Sequence, residues 1–259
     1  MALSFRYLIF RLSRLILWAG VVCAPLGVFG TVPPVGPGAS EKEVSLRFTV
    51  FALGGADGLS YRSARDEPPR ALRFYSAYRS ARYDYRGGER LSFYEAGAAT
   101  ADLASGPDAA PVATYVIPEG ADEMLLLFLP RAEPTPDGLR YDVYGVEDGV
   151  GRTPPGHFRI INVSGREYVA HFSGGRITIP QGVGDAHAAR GRVSLVLATQ
   201  VGEAWLATGK HEFSLTPRDR VTLIFYPSAS GTSVYPVIRR LVDTVPGERL
   251  KRAAVAELP

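Results

Sequence analysis

The chain has 259 residues, of which 46% are hydrophobic and 21% charged, so it can bury a large core and lacks the composition of a disordered protein. Its formal net charge is +3, but three of the 29 basic residues, Arg6, Arg11 and Arg14, precede Gly30. Removing these three leaves 26 basic residues against 26 acidic ones. A neutral chain lacks the excess positive charge that favours nucleic acid, so we expect no nucleic-acid partner.

The N-terminus has the pattern of a secretory signal peptide. Its arginines precede an apolar run over residues 15–29 and a small residue, Gly30. We therefore predict a signal peptide at 1–30, a chain that begins near Thr31, and a periplasmic or secreted protein. An uncleaved inner-membrane anchor over residues 15–32 is the first alternative, and contact with the membrane is expected only in that case. A lipoprotein at Cys23 is the second, although Val22 precedes that cysteine where a small residue is normally required.

Residues 31–43 begin with a linker rich in proline and glycine, and alternating strand patterns follow from Val44 onward. In VSLRFTVFAL the apolar residues fall on one face and the polar residues on the other, as in a half-buried strand. Similar runs begin at Leu72, Arg90, Val112, Met124, Arg140, Phe158, Glu167, Arg176, Val193, Glu203, His211, Val221 and Val234. Many short strands separated by turn residues predict an all-β fold of the sandwich or barrel kind.

The order of these runs suggests an internal duplication. A proline pair, a strand pair, a glycine pair and a loop of small residues occur after residue 68 and again after residue 154. Later, LLLFLP ending at Pro130 resembles TLIFYP ending at Pro227. We therefore predict two tandem β-sandwich-like domains after the signal segment, at 44–150 and 151–248, and a C-terminal tail at 249–259.

Catalytic and metal-binding motifs are not evident. The histidines lack the close spacing of zinc ligands, although His157 and His171 would approach each other if they shared a hairpin. The acidic doublets at 66–67, 122–123 and 147–148 fall at predicted turns, where we expect solvated carboxylates. No catalytic residue, metal ligand or cofactor is assigned. Trp205, the only tryptophan after the signal segment, is expected in the core.

The most distinctive stretch is RFYSAYRSARYDYRGGER, residues 73–90, in which tyrosine and arginine alternate. Both residue types are enriched in binding hot spots, and arginine can hold a carboxylate or sulfate group with two hydrogen bonds. Tyr78, Arg79, Arg82 and Arg86 are therefore the candidate binding residues. The competing interpretation is a strand pair with one tyrosine face and one solvated arginine face.

These observations favour an exported bacterial protein of the cell envelope that binds or scaffolds and does not catalyse. An acidic glycan or an envelope protein is the expected partner. Two alternatives remain open: a carbohydrate-active enzyme whose site forms only in three dimensions, and a membrane-anchored component of an envelope assembly.

Overall fold

The computed structural model describes residues 43–63, 67–95, 110–173, 175–228 and 233–245. The predicted signal peptide and C-terminal tail lie outside these residues. The described residues form sixteen strands and no helix, so none of them belongs to a helix that could cross a membrane. The strands are β1 Val44–Ala52, β2 Leu59–Tyr61, β3 Arg70–Ala71, β4 Tyr83–Gly87, β5 Arg90–Glu95, β6 Ala113–Val116, β7 Glu123–Pro130, β8 Tyr141–Glu147, β9 His157–Asn162, β10 Tyr168–Phe172, β11 Gly175–Ile179, β12 Gly182–Ala188, β13 Gly191–Val201, β14 Ala204–Leu215, β15 Asp219–Tyr226 and β16 Val237–Thr244.

These strands form four sheets of four strands each. Sheet A has the order β4-β1-β7-β8, and sheet B the order β3-β2-β5-β6. Sheet C has the order β12-β9-β15-β16, and sheet D the order β11-β10-β13-β14. The first eight strands therefore make one sheet pair and the last eight a second. This arrangement confirms the all-β class and the two tandem sandwiches.

The two sandwiches have the same topology. Adding eight to each strand number in sheets A and B gives the strand orders of sheets C and D. The pairing directions also agree, including the one parallel pair in each half, β1 with β7 and β9 with β15. An internal duplication explains this strand-for-strand agreement.

Some of the sequence landmarks identified equivalent strands and others did not. The match between LLLFLP and TLIFYP is correct, because these segments form β7 and β15. The match between the two proline pairs is wrong, because Pro154 and Pro155 precede β9, whose equivalent is β1, whereas Pro68 and Pro69 precede β3. The predicted small-residue loop after Pro180 is also wrong, because it contains strand β12.

The sheets stack in the order B, A, C, D, and an apolar cluster lies in each of the three layers between them. Phe48 of β1 and Leu126 of β7 pack against sheet B. The opposite faces of the same strands, with Phe51 and Leu127, pack against sheet C through Ile224 and Leu241. Because sheets A and C are covered on both faces, β7 and β15 are buried without alternation, and their buried residues are apolar except for Arg220 and Thr222 of β15.

Strand alternation predicts that Leu125, Leu127, Leu195 and Leu197 point into the sandwich interiors. Leu195 and Leu197 do so, inside the second sandwich. Leu125 and Leu127 are fully buried, but they lie between sheets A and C and not inside the first sandwich. Trp205 is not a core residue, because 56% of its surface is exposed.

Candidate functional site

The four predicted binding residues do not share one surface. Tyr78 is 68% exposed, and Arg86 reaches solvent beside Glu43, with 3.1 Å between Nε and the carboxylate. The Arg79 side chain is only 8% exposed, and that of Arg82 is 28% exposed. Residues 74–80 form no strand, so the predicted strand pair with one tyrosine face and one arginine face does not occur over this stretch.

Arg79 belongs to a charge cluster centred on Asp148. One Nη atom of Arg79 binds Asp148 Oδ2, and the other donates to Thr222 Oγ1 at 2.8 Å. Arg159 donates to Asp148 Oδ1 at 3.0 Å, and an Nη atom of Arg220 lies 3.8 Å from Oδ2. All four side chains are more than nine-tenths buried. The expectation that Asp148 is solvated is therefore wrong, because three guanidinium groups surround its carboxylate.

Backbone contacts extend this cluster to the segment that joins the two sandwiches. Arg159 donates to the carbonyl oxygen of Glu147 at 2.8 Å. Arg220 donates to the carbonyl oxygen of Asp148 at 2.7 Å. Because Arg159 and Arg220 belong to β9 and β15 of the second sandwich, they hold the end of β8 against sheet C.

At this junction both sandwiches have charged residues at equivalent positions. Arg220 and Asp243 are partners in the pairing of β15 with β16, and Arg220 binds the Asp243 carboxylate. At the equivalent position of the first sandwich the backbone N–H of Asp148 donates to the backbone carbonyl oxygen of Glu123 at 2.8 Å. The first sandwich therefore has two acidic residues, Glu123 and Asp148, at the two positions that hold Arg220 and Asp243 in the second sandwich. Arg82 binds the Glu123 carboxylate.

A cavity of about 420 Å³ opens beside this cluster, and we call it the junction cavity. Both sandwiches contribute to its wall: Thr49, Arg79, Arg82 and Asp148 from the first, and Arg220 and Asp243 from the second. The Nε atoms of Arg79, Arg159 and Arg220 are buried without a hydrogen-bond partner. Thr49 Oγ1 is also buried without one. The cluster therefore has more hydrogen-bonding groups than the surrounding protein atoms satisfy.

Burial and neighbouring charges shift the pKa values of Arg159 and Asp243. Burial lowers the pKa of Arg159 to about 10, Asp148 opposes that shift, and the positive charges of Arg79 and Arg220 add to it. Burial alone would raise the pKa of Asp243, but the hydrogen bond and charge of Arg220 outweigh it and hold that pKa below its usual value. Cationic side chains thus dominate the electrostatics of the junction.

A second cavity, of about 450 Å³, has an acidic wall that includes Asp122, Glu123 and Glu147. Each of these carboxylates is ion-paired with an arginine. Asp122 lies 3.2 Å from Arg47, Glu123 binds Arg82, and Glu147 lies 2.5 Å from Arg152. The cavity brings carboxylates together that the sequence separates, although each would have to leave an ion pair before acting as a general acid.

The histidines do not form the expected pair. His157 begins β9 in sheet C, whereas His171 lies in β10 of sheet D, so the shared hairpin does not form. His157 instead approaches His187, whose pKa is lowered chiefly by burial; Asp185 opposes this shift and His157 adds to it. Within the described ranges, no group of three or more potential metal-binding side chains comes together.

The outer face of sheet D carries an exposed aromatic ring with basic neighbours. The guanidinium carbon of Arg176 lies 5.9 Å from the centre of the Trp205 ring. Val196 pairs with both His171 and Lys210 in the sheet, and all three are at least partly accessible on this face. We call this surface the Trp205 face.

Sequence reasoning missed the residues that build the junction. Arg159 was the clearest signal, because it interrupts the apolar strand HFRIIN, where a charged side chain must find a buried partner. Asp148 offered no such signal, because a charged residue before a glycine-rich turn normally reaches solvent. No protein-family model matches the chain, and no curated protein matches it significantly.

Proposed function

We propose that the chain is a non-catalytic binding or scaffold protein of the bacterial cell envelope, with an acidic glycan as its ligand. The observation that carries this proposal is the Trp205 face. An indole ring that is 56% exposed offers a flat apolar surface on which a sugar ring can stack.

The charges around Trp205 favour an acidic ligand. Arg176, Arg192 and Lys210 lie on this face, where Glu212 binds Arg192 and lies 2.6 Å from Lys210, and the exposed Glu203 lies two residues before Trp205. Arg176 lies over the indole, with 5.9 Å between its guanidinium carbon and the ring centre. A glycan carboxylate or sulfate would thus find arginine beside the stacking surface.

The test is retention on immobilised acidic and neutral glycans, compared between the parent chain and Trp205→Ala. We expect the parent to bind the acidic glycans, and binding to fall on the order of tenfold in the variant. Tyr235→Ala is the matched control, because it removes a ring that is also more than half exposed but lies elsewhere. Equal retention of Trp205→Ala and the parent would reject the Trp205 face as the binding surface.

Tyr78, Arg82 and Arg86 remain candidate binding residues in the first sandwich, but they do not form one surface. Tyr78 and Arg86 are exposed and Arg82 is partly so, whereas Arg79 is held inside the junction. Tyr78→Ala in the same assay tests the exposed ring of the first sandwich separately from the Trp205 face. An envelope protein as partner is tested by repeating the assay with envelope extract and identifying the retained proteins.

The acid-lined cavity favours the alternative of a carbohydrate-active enzyme. If Asp122 and Glu147 act on a glycosidic bond, incubation with the retained glycan releases shorter products, and Glu147→Gln abolishes that release. Retention of an intact glycan supports binding instead.

Export is proposed on the N-terminal pattern alone. Protein recovered from the periplasm or medium is expected to begin near Thr31. A membrane fraction containing the chain with Met1 intact would support the anchor over residues 15–32 and reject cleavage.

A further inference from the structure

We propose that the junction cavity is a binding site for a hydroxylated monocarboxylate of sugar-acid size, free or at the end of a glycan. This site is distinct from the Trp205 face and does not depend on it. The cavity has about 420 Å³, which falls within the range of small-molecule sites.

The charges of the junction favour an anion. Among the described residues, the cluster contains the guanidinium groups of Arg79, Arg82, Arg159 and Arg220. Three carboxylates bind them, those of Glu123, Asp148 and Asp243. One positive charge therefore remains in excess, and three of the four arginines are more than nine-tenths buried, where water screens them weakly.

The hydrogen bonds of the junction support the same conclusion. Three arginines share the Asp148 carboxylate, although their N–H groups could bind more than one carboxylate. Buried polar groups in proteins are normally satisfied, yet three Nε atoms and Thr49 Oγ1 in this region have no partner. A bound carboxylate would allow these guanidinium groups to redistribute their hydrogen bonds over a second acceptor.

The wall of the cavity indicates the kind of carboxylate. A monoanion matches the single excess charge, whereas a dianion would exceed it. The hydroxyl of Thr49 and the apolar Val242 line the same space, so a ligand with hydroxyl groups and a carbon ring suits it better than a bare inorganic ion. Because both sandwiches contribute to the wall, the ligand would contact both.

Calorimetric titration of the full chain with sodium galacturonate tests the site, with galactose, sulfate and an aspartate-rich peptide as separate arms. We expect saturable binding of galacturonate at one site per chain and none of galactose. Tighter binding of sulfate would overturn the assignment to a monocarboxylate. Tighter binding of the peptide would overturn the assignment to a sugar acid.

A charge series on the cavity wall provides the decisive comparison. Asp243→Asn removes one negative charge from the wall and should tighten galacturonate binding, whereas Arg82→Gln removes one positive charge and should weaken it, each on the order of tenfold. A merely structural role would not produce a gain in affinity. The Asp243 and Arg82 side chains are 33% and 28% exposed, so both variants are expected to fold. Far-ultraviolet circular dichroism of each variant checks that the fold is intact.

Arg176→Gln on the Trp205 face is the matched control and should leave galacturonate binding unchanged. If Arg176→Gln weakens binding while the two junction variants do not, the carboxylate binds at the Trp205 face and the junction site is rejected. Absence of galacturonate binding to the parent chain also rejects the junction site, and leaves the glycan assay of the Trp205 face to be judged separately.

Discussion

Asp148→Asn tests the charge cluster most severely, because it removes the carboxylate that three buried arginines share. The variant keeps the size of the side chain but leaves Arg79, Arg159 and Arg220 with neutral oxygen and nitrogen in place of an anion. Breaking a buried ion pair by removing one partner typically costs about 3–5 kcal/mol, since the remaining charge is left uncompensated. Three arginines share this loss, so we expect the upper part of that range.

Thermal unfolding measures this cost. A loss of about 3–5 kcal/mol lowers Tm by roughly 6–20 °C for a chain of this size, at about 2–4 °C per kcal/mol. Asp142→Asn is the matched control, because Asp142 also pairs with an arginine, Arg131, but its side chain is 58% exposed. Its Tm should remain close to that of the parent. An Asp148→Asn variant as stable as Asp142→Asn would refute the view that Asp148 compensates the junction arginines.

Three further predictions concern packing and pH. Leu127→Ala should cost about 2–5 kcal/mol in chemical denaturation, because it opens a cavity between sheets A and C, whereas Val116→Ala at an exposed position should cost little. Gly145→Ala should lower Tm, since a Cβ at that position would overlap the Tyr115 ring; an unchanged Tm would show that the ring moves aside easily. The pKa of Asp243 is lower in the folded chain than its unfolded-state value of about 3.8, so the Asp243 carboxylate stabilises the fold above that pH, and this contribution is lost as pH falls through the folded-state pKa. The free energy of unfolding of Asp243→Asn should therefore change less with pH in that interval than that of the parent.

The fold class could be predicted from the sequence because strand patterns are local. The alternation in VSLRFTVFA and the turns between runs were sufficient for two sandwiches. The continuous apolar run in β7 indicates a strand that is buried on both faces, and such a strand requires a covering layer on each side. That run could have indicated that the sandwiches pack against each other through sheets A and C.

The junction was beyond local patterns because its contacts join distant residues. Arg79 meets Asp148, 69 residues away, and Thr222, 143 residues away. No spacing rule links such positions, so Arg79 was expected at the surface with Tyr78. Trp205 was assigned to the core for a related reason: a large aromatic residue is usually buried, and only the pairing of β13 with β14 shows that it lies on the outer face.

The most direct test of the proposed function follows both the ligand and its integrity. The full chain is incubated with polygalacturonate, the bound fraction is separated, and the glycan is sized by mass spectrometry. We predict that the chain retains the glycan, that retention decreases as salt rises because exposed charges are screened over about 8 Å at physiological ionic strength, and that the glycan is recovered at its original length. Release of shorter products, or no retention at low salt, would contradict a non-catalytic protein that binds acidic glycans.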